Sequence, residues 1–124
     1  MKSKKAIFAG VLALASMLLA GAEDKPRVFT GEIADSQCSM NVHSLTRSHT
    51  EMMKNKNMGG TPTNCTNYCI KYLGGDLVLA NGDTVYHLDD QDRPASFAGL
   101  KVKLTGTLNE KTKTIHVIDI KAAQ

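Results

Sequence analysis

Three cysteines are the residues of this 124-residue chain best equipped for chemistry. Cys65 and Cys69 lie in "TPTNCTNYCIKYLGG", residues 61 to 75, and Cys38 stands well upstream, shortly before His43. On a helix, residues four apart share a face with Cβ atoms about 5 to 6 Å apart, whereas a disulfide wants about 3.5 to 4.5 Å. Cys65 and Cys69 are therefore expected to present two sulfurs to a common point rather than to bond each other. Cys38 is expected to approach the N-terminal half of that helix, with His43 close by.

Such a convergence has three readings. A disulfide of Cys38 with Cys65 or Cys69 would tie the intervening segment to the helix and contribute about 3 to 4 kcal/mol by chain entropy. The third cysteine would then be a small buried hydrophobe. Alternatively, Cys38, His43, Cys65 and Cys69 form a metal centre, since thiolate and thioether suit Cu(I) while cysteine with histidine suits zinc. Thiol redox chemistry is the third reading, because a cysteine in the first helical turn gains thiolate character from the helix dipole. The C-x3-C spacing is less diagnostic than paired C-x2-C knuckles. Met40, Met52, Met53, Met58 and His49 share the stretch between the cysteines. Methionines in a loop read first as gap-fillers over a core.

The start of the chain speaks to compartment. "MKSKK" is basic, "AIFAGVLALASMLLAGA" is uncharged, and Ala20-Gly21-Ala22 is a small-x-small ending. That is the pattern of a secretory signal peptide over residues 1–22, removed after Ala22, and it implies a periplasmic or secreted product with no stable membrane insertion. Export permits both a disulfide and a metal, on either of which a small domain often relies. Without Lys2, Lys4 and Lys5, twelve of the 15 basic residues face 12 acids. A near-neutral chain with few aromatics and no tryptophan lacks the footprint of a nucleic-acid binder.

The remaining residues place one domain over 23–124. "RVFTGEIAD" (27–35) alternates as a half-buried strand. Residues 36–62 are polar and aperiodic, and their Met-rich part, about 44–60, is expected to be a mobile insertion. Thr63 or Asn64 would cap a helix over 64–73, stopped by Gly74. Strands follow at 76–80 and 83–88, joined through Asn81-Gly82 with both residues at positive φ. "RPASFAGL" reads as a turn or one helical turn. Strand 100–108 alternates with Leu100, Val102, Leu104, Gly106 and Leu108 inward, and 114–120 closes the set. Five strands in so short a chain must curl to cover their edges, so the expected fold is mainly β, a small five-stranded, mainly antiparallel barrel with one helix. Gly31 and Gly106 suit bends or bulges in it.

Asp35-Ser36-x-Cys38, His43 and Cys65-x-x-x-Cys69, with "CTNYCIKYLGGDLVLANGDTVYHLDDQ" and "FAGLKVKLTGTLNEKTKTIHVIDI", resemble a family of small exported bacterial domains of unknown function. The resemblance implies an OB-like barrel and brings no established activity with it. Asp35 and Ser36 are expected to end the strand and open a turn. His87 and His116 read as cross-strand or surface residues, and Asp89, Asp90 and Asp92 as a solvated acidic turn. No hydrolase motif arranges Ser, His and Asp. The expected function is a non-enzymatic binding or interaction module for an unnamed protein or small ligand, stabilised by the disulfide. The alternative is a periplasmic protein holding copper or zinc on the Cys/His cluster.

Overall fold

The computed structural model describes residues 25–40, 54 and 60–124. The expected leader, His43, His49 and all of the Met-rich segment except Lys54 and Gly60 lie outside the described residues. The elements run β1 (Arg27–Asp35), α1 (Ser36–Ser39), α2 (Pro62–Tyr72), β2 (Leu77–Asn81), β3 (Thr84–Leu88), a 3-10 helix (Arg93–Phe97), β4 (Lys101–Asn109) and β5 (Thr114–Ala122). No helix among the described residues is long and apolar enough to cross a membrane.

The fold is mainly β, a five-stranded sheet whose order β1-β2-β3-β5-β4 returns to β1. Four pairings are antiparallel, as expected; the fifth is not. Closure comes from a short parallel contact, His87 opposite Thr114 and Leu88 opposite Ile115. The first strand makes the ring possible by changing partners. Its first part, Arg27 to Glu32, pairs with β4, and Glu32 to Asp35 pair with β2. Gly31 sits at that handover, where a Cβ would stand 2.5 Å from the Ala80 carbonyl oxygen. Side-chain alternation then fills the ring: Phe29, Ile33, Leu79, Leu104 and Ile115 belong to one buried core. Gly106 marks an irregularity in the β4–β5 register, with Thr105 opposite Asp119 and Gly106 opposite Val117. Ile118 is thereby left unopposed, and it is exposed.

Several local expectations are corrected. The hairpin's central pair is Gly82-Asp83, because Asn81 still pairs with Thr84. Gly82 alone takes positive φ, +57°, as the first position of a type II′ turn requires. Leu100 is exposed, since β4 begins only at Lys101 and Leu100 belongs to the turn after Gly99. The main helix starts earlier than expected. Thr61, not Thr63 or Asn64, is its cap: its Oγ1 accepts from the Asn64 amide at 3.1 Å, and Pro62 stands in the first turn, where a missing N–H does no harm. At the other end Gly74 has φ +72°, and the Leu73 and Gly75 amides both turn back onto the Cys69 carbonyl. Leu73 lies beyond the last helical turn and is half-exposed, so it does not extend the cysteine stripe.

A candidate three-sulfur centre

The end of β1 builds the first wall. Asp35 caps a one-turn helix that the polar sequence gave no periodic sign of: its Oδ1 accepts from the Gln37 amide at 3.0 Å and the Cys38 amide at 3.1 Å. Ser36 locks this turn to the approach of β2, its amide donating to the Asp76 carbonyl at 2.8 Å and its Oγ accepting from the Asp76 amide at 3.0 Å. Gln37 reaches across to α2, its Nε2 donating to the Leu73 carbonyl at 2.6 Å. The first turn that carries Cys38 is thus tied to β1, to the approach of β2 and to the end of α2.

The second wall is α2, whose buried residues are Cys65, Thr66 and Cys69. Its first turn rests on the loop before β4. Gly99, at φ +75°, donates from its amide to the Ile33 carbonyl at 2.6 Å, and any Cβ there would lie 2.2 Å from the Thr63 nitrogen. Gly99 therefore fixes how deeply α2 sits against β1.

Between these walls the three sulfurs meet. Their Sγ atoms lie within 4.8 Å of one another, and Cys38 and Cys69 are 4.0 Å apart. The cysteines form a buried cluster separate from the barrel core, 3%, 0% and 0% exposed for Cys38, Cys65 and Cys69. The expected approach of Cys38 to Cys65 and Cys69 is what the fold produces. The Cys38 disulfide is not present: the described cysteines are not bonded to one another, and 4.0 Å is about twice an S–S bond. His43, the fourth member of the expected set, lies outside the described residues.

Electrostatics set the state of these thiols. Burial pushes all three up, and the charge of Asp35 adds to it. Cys69 is pushed up to about 12 and Cys38 is raised strongly, both also through hydrogen bonding to Asp35. Cys65 is raised less simply, because its hydrogen bonds with Cys38 and Cys69 work the other way. The helix-turn argument for a reactive Cys65 thiolate is corrected here. Desolvation of a fully buried sulfur outweighs a partial dipole, so the cluster rests as thiols at neutral pH.

Asp35 is the member that sequence reasoning undervalued. It was expected to end a strand and open a turn, which it does, yet it is also 0% exposed and lies against the sulfurs. The signal was available in "DSQC": an aspartate cap three residues before a cysteine directs its carboxylate at that residue's amide. The acidic turn is more ordered than expected. The Asp89 carboxylate accepts from the Val117 amide at 2.9 Å and meets His116 Nδ1 at 2.5 Å, while Asp90 pairs with Arg93. Arg93 also donates to the carbonyls of Val117 and Ile118, beside the β5 irregularity. His116 is a surface residue as expected, paired with Asp89.

Comparison with protein-family models, with curated proteins and with solved structures gives no match to this chain. The site is read from its own chemistry.

Proposed function

We propose that this protein is an exported, non-enzymatic binding protein, built on an OB-like barrel, whose centre holds a sulfur-seeking element on Cys38, Cys65 and Cys69. One observation carries the reading: three buried sulfurs stand within 4.8 Å of one another while none is bonded to another. Bonds of about 2.3 Å from a metal hold sulfurs about 3.8 Å apart in a tetrahedron and about 4.0 Å apart in a planar triangle. The Cys38–Cys69 separation of 4.0 Å falls in that range without movement. Copper and zinc are the metals that the donor types single out, with His43 as the sequence's candidate fourth ligand for zinc. The near-complete burial of the sulfurs favours holding over turnover.

The 4.0 Å pair also supports a second reading, in which oxidation joins Cys38 to Cys69 and leaves Cys65 as the odd thiol. Thiol counting on purified, folded protein separates the two. The proposed centre gives three thiols that are protected only while one equivalent of zinc or Cu(I) is bound. One free thiol in metal-free protein, with two recovered only after reduction, would replace it with the disulfide.

A further inference from the structure

The surroundings of the sulfurs narrow what they hold. Each thiolate formed here is a charge placed in a site that is 0 to 3% exposed, beside the fully buried Asp35 carboxylate. Asp35 is 0% exposed, and its Oδ1 accepts from the Cys38 amide at 3.1 Å, which sets the carboxylate against the cluster. Burying added charge without a partner is among the costliest changes a protein interior undergoes. Monovalent copper that displaces three thiol protons leaves the site two units more negative than before. Divalent zinc leaves it one unit more negative. A trivalent, three-coordinate element leaves the charge unchanged, and it uses each of the three sulfurs once.

We propose that the cluster is a receptor for trivalent thiophilic metalloids, arsenite being the type, bound through three bonds to the sulfurs of Cys38, Cys65 and Cys69. The inference rests on the reading of this cluster as a binding centre and names its occupant. The step is a condensation. Neutral arsenous acid, As(OH)3, meets three thiols; three As–O and three S–H bonds break, and three As–S and three O–H bonds form. Three waters leave, arsenic stays trivalent, and no oxidant or reductant takes part. The three cysteines stand unbonded to one another, the form that this step consumes. Asp35 discriminates against the alternatives: its carboxylate opposes any occupant that makes the sulfurs net anionic and is indifferent to one that does not.

The test uses reduced, purified protein with sodium arsenite, zinc and Cu(I) offered separately and then in competition. One equivalent of arsenite is expected to protect all three thiols from alkylation and to displace zinc. The arsenic absorption edge is expected to show three sulfur neighbours and no oxygen. Asp35→Asn, which keeps a capping side chain, is expected to tighten zinc by about tenfold or more while changing arsenite by less than about threefold. Zinc or Cu(I) protecting the thiols while arsenite does not, or arsenite held by only two sulfurs, would overturn the metalloid inference and leave the metal centre standing. Protection by none of the three would overturn the centre itself.

Discussion

Replacing Gly99 by alanine tests how the sulfur centre is positioned. Gly99 has φ +75°, a conformation that costs an L-residue about 1 to 2 kcal/mol. The added Cβ would also lie 2.2 Å from the Thr63 nitrogen and 2.5 Å from both the Pro62 carbonyl carbon and the Thr63 Cα. Those atoms are backbone in the first turn of α2, so relief requires the helix end to move, and overpacking of this kind adds about 1 to 3 kcal/mol. The expected loss is about 2 to 5 kcal/mol, or a fall in Tm of roughly 8 °C or more for a domain of this size. Gly74 and Gly82 supply the control. They also have positive φ, +72° and +57°, but a Cβ on either meets nothing within 4 Å. Gly74→Ala and Gly82→Ala are expected to lose only the conformational part, about 1 to 2 kcal/mol. The shift of α2 carries a second readout, because Cys65 follows Thr63 by half a turn. In Gly99→Ala the thiols of native protein are expected to alkylate faster than in either control, measured under conditions where all three variants remain folded. Denaturant unfolding gives the first quantity and timed alkylation the second. If Gly99→Ala unfolds at the same denaturant midpoint as Gly74→Ala and keeps its thiols equally protected, then Gly99 does not set the depth of α2.

Arg93→Lys is expected to lose about 1 to 2 kcal/mol, because an ammonium cannot reproduce the guanidinium's paired donation to the Val117 and Ile118 carbonyls; denaturant midpoints check it. Gln91 acts as a surrogate strand partner, its Oε1 accepting from the Leu77 amide at 2.7 Å and its Nε2 donating to the carbonyls of Leu77 and Leu88. Gln91→Glu keeps the acceptor and sets an anion against two carbonyls, so hydrogen exchange at Leu77 is expected to accelerate at neutral pH. Asp89 is held below the usual aspartate range: burial raises it, but the Val117 amide and His116 lower it by more. A lowered carboxyl stabilises the fold above its unfolded pKa and ceases to do so as pH falls through its folded one. The stability gap between wild type and Asp89→Asn is therefore expected to shrink as pH falls from about 5 to below about 4, by urea unfolding across that range. A gap that widens in acid would reverse the sign assigned to this group.

The parts legible in the sequence were those set by local periodicity. Alternation in "RVFTGEIAD" gave β1 its bounds, and the i,i+4 spacing of Cys65 and Cys69 placed two sulfurs on one helix face whatever that helix packs against. Periodicity fails where a chain leaves its element, which is why Leu73 and Leu100 carry the right residue type but sit just outside α2 and β4. It also has nothing to say about a one-turn helix such as α1, too short to repeat. Only tertiary structure decided the rest. The parallel β3–β5 contact exists because the ring must close, not because either strand prefers it. Asp35 became a buried neighbour of three thiols because β1 delivers its end beneath α2, and that burial moves their protons. The cysteines named the elements that could donate sulfur. The distances between the sulfurs, and the cost of charging them, came from how the walls of the site press together.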